Sequence, residues 1–250
     1  MLCNYHTHTK RCHHAVGEDR EYVENAIKTG IQVLGFSDHP PYIFDDGCNS
    51  CYRIDFNMID DYCNSVLSLK KEYARDIDIK LGFELEYYRG LHEREMKFLR
   101  SYNPDYIILG QHYVGGEDTG VHTYAFSNEQ LLTLYVDECI EGLQTGDFTF
   151  LAHPDLAGFR CPSSVCEREY TRLLAFAKDN DFPIELNGYG LNMQRHYPDR
   201  RLFELAEKIG NKVIIGIDAH DPSNICPQTY QKAYALIKGL NLNIINKLDI

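Results

Sequence analysis

The sequence predicts an α/β protein built on parallel strands. Seven short apolar runs each precede a segment of helical pattern, which is the alternation of strand and crossover helix. No linker or low-complexity tract interrupts the 250 residues, so a single domain over 1–250 is expected. His, Asp or Glu stands at the end of six of the seven runs. Right-handed crossovers leave two arrangements for such a series, a closed barrel or an open sheet.

Leu2–Tyr5 reads as the first strand, and Asp19 is the candidate cap of a helix over Arg20–Thr29 that Gly30 closes. Ile31–Ser37 is the second strand, stopped by Pro40-Pro41. A loop holding Cys48 and Cys51 then leads to a helix over Phe56–Ala74. Ile79–Glu84 is the third strand, with a helix over Leu91–Arg100 behind it. Asp105–Gly110 is the fourth, and a loop runs on to a helix over Asn128–Leu143 with Ser127 as its candidate cap. Phe148–Ala152 and Pro183–Leu186 are the fifth and sixth, separated by a helix near Glu167–Asn180. Asp199 is placed to cap the next helix, Val213–Ile217 is the seventh strand, and Tyr230–Gly239 is the last helix.

With 44% hydrophobic residues the chain can build a full core. A net charge of −12 excludes a basic face that grips nucleic acid or an anionic membrane. No apolar run approaches the length of a membrane span, and no signal-type segment follows Met1, so a soluble cytoplasmic enzyme is expected. Nine scattered cysteines do not read as a secreted disulfide framework. The single C-x-x-C of Cys48 and Cys51 lacks a second pair at zinc-site spacing.

The informative feature is where the metal-type residues fall. A strand places residues i and i+2 on one face, so His6 and His8 leave the first strand pointing the same way. They are either two polar residues at a strand end or two ligands of one ion. Asp38-His39 follows the second strand, Glu84 ends the third, His112 follows the fourth, His153 the fifth, and Asp218 with His220 the seventh. The carboxyl ends of parallel strands open on one face of such a fold. Any one of these residues has an ordinary explanation as a turn cap or a solvated histidine. Six at equivalent positions point to a multinuclear metal site.

The sequence resembles the polymerase and histidinol phosphatase (PHP) superfamily of metal-dependent phosphoesterases. The matching motifs are His6-Thr7-His8-Thr9 with His14-Ala15, Gly35-Phe36-Ser37-Asp38-His39, Gly82-Phe83-Glu84, His112, Ala152-His153-Pro154 and Gly216-Ile217-Asp218-Ala219-His220. They run in the family's order over nearly the whole chain. The resemblance implies a distorted seven-stranded (β/α)7 barrel with three divalent metal ions. His6, His8, Glu84 and Asp218 would bind the first ion, and Glu84, His112 and His153 the second, with Glu84 bridging. His14, His39 and His220 would bind the third, the spacing from His8 favouring His14 over His13. Glu84, Asp218 and His220 are the candidate catalytic groups. The run Gly110-Gln111-His112-Tyr113 departs from the Gly-Ser-Val-His common among closer relatives.

Imidazoles and carboxylates suit zinc, manganese or iron. Two ions sharing an activated water would support in-line attack on phosphorus with no side-chain nucleophile. No Cys-x5-Arg loop and no Gly-rich nucleotide loop offers another route. Phosphate favours an arginine fork, for which Arg160 and Arg195 are the candidates. Asp19, beside Glu18, is the candidate acceptor for a cationic part of the substrate, its other reading being a helix cap. The motif Ser37-Asp38-His39-Pro40 is similar to that of stand-alone histidinol-phosphate phosphatases, which implies hydrolysis of this small phosphate monoester. A broader phosphoesterase or a protein-tyrosine phosphatase of the superfamily is the alternative. The sequence leaves the oligomeric state open.

Overall fold

A computed structural model describes residues 3–44, 47, 50–118, 120–125 and 128–250. The chain opens with β1 (Cys3–Asn4), α1 (Asp19–Thr29), β2 (Val33–Phe36), α2 (Ile59–Glu72), β3 (Asp78–Leu85) and α3 (His92–Leu99). It continues through β4 (Tyr106–Leu109), β5 (Tyr113–Val114), β6 (Val121–His122), α4 (Glu129–Gln144) and α5 (Ser163–Asp179). The last part holds β7 (Ile184–Asn187), α6 (Gly188–Asn192), α7 (Arg200–Ile209), β8 (Lys212–Gly216), α8 (Pro227–Leu236) and β9 (Asn243–Ile244).

The sheet is parallel and curled. β1 to β4 form one four-stranded ladder in chain order, and β7, β8 and β9 form a three-stranded one. The predicted strand Phe148–Ala152 makes no ladder. Leu151 bridges Leu109 of β4 on one side and Ile184 of β7 on the other, while Thr149 N and Ala152 N donate to the carbonyls of Ile107 and Leu109, and Leu109 N donates to Phe150 O. Thr7 bridges Ala219 beyond β8, with His8 N donating to Ala219 O at 2.9 Å. Next to that seam the chain's last segment fills the gap, where Cys3 Sγ donates to Asn246 O and Leu248 N donates to the Tyr5 hydroxyl.

Strand alternation sorts the apolar side chains into two bodies. Cys3, Tyr5, Val33, Tyr106, Ile108 and Phe150 point inward and pack with Leu248. Their neighbours Leu34, Phe36, Ile79, Leu81 and Ile107 point outward against the helices. Gly35 and Gly82 make room within the ring for Tyr106, whose hydroxyl donates to the carbonyls of Tyr5 and Phe36. A methyl at either glycine would overlap the Tyr106 ring.

Helix ends follow local chemistry. Gly30 closes α1 in the left-handed region at φ 80°, where a side chain would be strained. The cap of α1 is Glu18, one residue before the predicted Asp19, and its N–H donates to Glu21 at 2.7 Å. Asn128 caps α4, accepting from Leu131 N, whereas the predicted cap Ser127 lies outside the described residues. Asp199 caps α7 as predicted, accepting from Arg201 N. Sequence reading missed the β5–β6 hairpin, α6 and β9, each of five residues or fewer and too short to show a period.

One buried carboxyl in this scaffold yields a prediction. Glu95 on α3 is fully buried, and its Oε2 accepts from Ile43 N while Oε1 has no hydrogen-bond partner among the described residues. Burial pushes its pKa up from 4.5 to about 7. The folded state therefore binds more protons in that window, and stability falls as pH rises through it. Glu95→Gln removes the penalty. The variant's gain over wild type grows between these two pH values to about 3 kcal/mol and then levels off. Urea melts across the range check this, and a pH-independent difference would contradict it.

Candidate metal centre

The carboxyl ends of the strands deliver the predicted residues to one cavity of about 410 Å³. Glu84 lies at its floor, 1% exposed, with its two oxygens facing different histidines. Oε2 is 3.0 Å from His6 Nε2, 3.2 Å from His8 Nε2 and 3.5 Å from His39 Nε2. Oε1 is 2.8 Å from His153 Nε2 and 3.8 Å from His112 Nε2. Asp218 Oδ1 sits 3.2 Å from His8 Nε2 and 3.5 Å from His6 Nε2. His220 stacks on His8 at 4.3 Å between ring centroids, and His14 lies 4.8 Å from His220 and 5.6 Å from His39. All nine predicted ligands therefore meet. His13, rejected on spacing, is exposed and faces Asp55 instead.

The orientation of the rings tests whether cations fit. His6 Nδ1 donates to Glu185 at 2.7 Å, His8 Nδ1 lies 3.3 Å from Asp38, and His112 Nδ1 donates to Glu86 at 2.8 Å. His14 and His220 use Nδ1 on the carbonyls of Cys12 and Asp218. Five rings thus have Nδ1 engaged, which leaves Nε2 as the lone-pair nitrogen, the usual arrangement of metal-ligating histidine. His8 Nε2 and Asp218 Oδ1 are buried without a hydrogen-bond partner. A cation between them would satisfy both, so the donor set fits divalent metal. Four groupings of these side chains have ligand atoms mutually within 4.8 Å: His6–His8–Glu84, His6–His153–Asp218, His8–Asp218–His220 and His39–Glu84–His112.

Electrostatics agree with a cation site. Burial opposes charge on Glu84, yet His6, His39 and His112 hold its pKa well below the ordinary carboxylate range. Burial also opposes charge on His6, and Asp218, Glu185 and Glu84 outweigh it, raising its pKa. Burial dominates at His220, depressing it to about 3, so that ring is neutral at pH 7. Two predicted ligands occupy the left-handed backbone region, His153 at φ 28° and Asp218 at φ 54°. Strain of this kind persists where the surroundings fix a functional side chain.

The substrate-side expectations fare unevenly. Arg195 lines the cavity, its guanidinium 5.8 Å from the Tyr124 ring centroid. Arg160 is exposed at the rim, donating to Tyr124 O, and is not among the cavity-lining residues. Asp19 corrects the reading. It is 5% exposed, held by Arg11 at 2.9 Å and by Ser65, and does not line the cavity. The buried arginine pulls that carboxylate away from the rim. The C-x-x-C cannot be placed, since Cys48 lies outside the described residues.

Sequence reading also missed the residues that aim the ligands. Asp38, Glu86 and Glu185 hold His8, His112 and His6. Glu185 additionally accepts from His153 N at 3.0 Å and Asn187 Nδ2 at 2.9 Å. Asp38 sat in plain view beside His39, but nothing in the order of residues pairs it with His8. His122 also lines the cavity, from the hairpin rather than from a strand end. His92 and His196 stay outside it, against Asp147 and Leu156 O.

Known proteins share this architecture. A protein of Deinococcus radiodurans named probable histidinol-phosphatase is 28% identical over 234 residues, covering 90% of this chain and 88% of its own. The Lactococcus lactis histidinol phosphate phosphatase, crystallised with zinc, L-histidinol and phosphate, gives a TM-score of 0.73 at 18% identity, covering 99% of this chain and 96% of its own. A Listeria monocytogenes protein provisionally assigned as a histidinol phosphatase gives 0.77 at 20% identity, covering 92% and 99%. The profile of the PHP domain matches residues 4–188, most of the chain and all but two of the nine predicted ligands. The chain belongs to the PHP-domain family.

Proposed function

We propose that this chain hydrolyses L-histidinol phosphate to L-histidinol and phosphate, as one domain over 1–250 holding three divalent ions of zinc, manganese or iron. The single observation that carries the reading is Glu84, whose two oxygens each face a separate set of imidazole Nε2 atoms. The relatives named for histidinol phosphate supply the substrate. The seven predicted strands act as one ring, with the bridges at Leu151 and between Thr7 and Ala219 supporting closure.

Bound ions of this class acidify water and absorb charge on phosphoryl oxygens. The protein's own groups do the positioning. Glu185 and Asp38 fix the tautomers of His6 and His8. Neutral His220, with Nδ1 on the Asp218 carbonyl, offers Nε2. Arg195 stands where a phosphoryl oxygen would be met, and Arg160 supports that wall through Tyr124. Arg195→Ala should lower kcat/KM by about 10–100-fold through loss of charge-assisted hydrogen bonds. Arg160→Ala should cost less, because its guanidinium is already occupied by Tyr124 O. Equal losses in steady-state assays would contradict that ranking.

Phosphate release from histidinol phosphate, nucleotides and a phosphotyrosine peptide tests the substrate. A preference of about a hundredfold in kcat/KM for histidinol phosphate, about 2.7 kcal/mol, is the expected result. Comparable rates across the panel would favour a broad phosphoesterase instead, and dominance of the peptide a tyrosine phosphatase.

A further inference from the structure

The β5–β6 hairpin brings Tyr113, Glu117 and His122 to the cavity wall. Four carboxylates line this cavity: Glu84, Glu86, Glu117 and Asp218. Glu84 and Asp218 face the imidazoles of the centre. Glu86 has both oxygens engaged, Oε1 by His112 and Oε2 by Arg53. Glu117 is different. Its Oε2 accepts from Arg53 Nε at 2.8 Å, while Oε1 has no partner among the described residues. Arg53 is one cation shared by two carboxylates, so the chain Glu86–Arg53–Glu117 keeps one net negative charge at the wall.

The surroundings suit a cation. Tyr113 and His122 meet edge to face at 4.8 Å, and Tyr52 lines the same cavity. Burial depresses His122 to about 4, so its ring is neutral at pH 7 and does not repel positive charge. Arg195 lines the cavity with Tyr124, Tyr189 and Tyr197, whereas Glu117 shares its part of the wall with Arg53 and Tyr113. A substrate that is anionic at its phosphate and cationic on its leaving group matches this layout.

We infer that Glu117 determines specificity by binding the cationic amine of the leaving alcohol, in a phosphorylated amino alcohol, through its free Oε1 in the cavity that Tyr113 and Tyr52 also line. This rests on the hydrolysis proposed above. An ammonium–carboxylate hydrogen bond is charge-assisted, and aromatic faces add attraction for the same group. Asp19, the candidate from sequence, is committed to Arg11, and Glu117 takes the role it cannot perform.

The test is Glu117→Gln in the metal-loaded enzyme. Glutamine retains an oxygen for Arg53 Nε and loses only the charge. The variant should keep its melting temperature and lose about thirtyfold in kcat/KM for histidinol phosphate, mostly through KM. That loss is about 2 kcal/mol at 1.36 kcal/mol per decade. Turnover of p-nitrophenyl phosphate, which carries no amine, should stay within about twofold. Glu117→Asp should recover part of the preference. Equal losses on both substrates, or none on either, overturn the inference. If wild type shows no preference for histidinol phosphate, the substrate reading fails separately. The role of Glu117 is then decided by phosphoethanolamine against ethyl phosphate, with a selective loss upholding it and equal behaviour overturning it.

Discussion

Chelation should abolish turnover and lower the melting temperature by about 10 °C. The reason is linkage, since ions that bind only the folded state stabilise it by about 4 kcal/mol at a thousandfold excess over Kd. In a chain of this length each kcal/mol is worth roughly 2–4 °C. The candidate ligands come from widely separated strand ends, so bound ions would tie β1 through β8 together at one rim. Protons compete for the same nitrogens, and the carboxylates around His6 and His8 strengthen that competition by raising both pKa values against burial. Metal loading should therefore weaken as pH falls. Elemental analysis of active protein should find two to three ions per chain. One ion or none in fully active protein would defeat the trinuclear proposal.

Glu84→Gln should reduce kcat by at least about a thousandfold, or 4 kcal/mol of barrier, with little change in fold. The substitution preserves volume and replaces a charge that His6, His8, His39, His112 and His153 all face. A neutral amide cannot balance that cluster, and its NH2 must point at one set of Nε2 atoms. The close approach of Gly110, where any Cβ would collide with the carboxylate, shows how tightly this side chain is seated. Circular dichroism and metal content measured with kcat separate the causes. A variant that folds, binds metal and retains most of its turnover would remove Glu84 from the mechanism.

Much of this architecture is legible in the order of residues. Parallel strands buried on both faces read as apolar runs, and six of the seven predicted ones form ladders. The remaining one, Phe148–Ala152, hydrogen-bonds to β4 through Thr149, Phe150 and Ala152 but bridges only at Leu151, because ladder formation depends on neighbours that no local pattern specifies. The ligands were legible because a strand end is a fixed place in such a fold, and position alone brings His6, Glu84, His112, His153 and Asp218 together.

What sequence could not show is which polar side chain answers which. Asp19 looked available because it follows His14 closely, yet Arg11 from the preceding turn and Ser65 from α2 reach it first. Glu185, inside a predicted strand, and Glu86, just past another, carry no local sign of a role, yet they aim His6 and His112. Glu117 sits on a hairpin set by only two paired positions, Tyr113 with His122 and Val114 with Val121. The sequence by itself determined the strand–helix alternation and the gathering of the candidate ligands at strand ends, because both follow from periodicity and strand position. Only the tertiary structure decided the orientation of each imidazole and the pairing of Glu117 with Arg53 through one oxygen alone, because hydrogen bonds between residues as distant as His6 and Glu185 are chosen by three-dimensional packing.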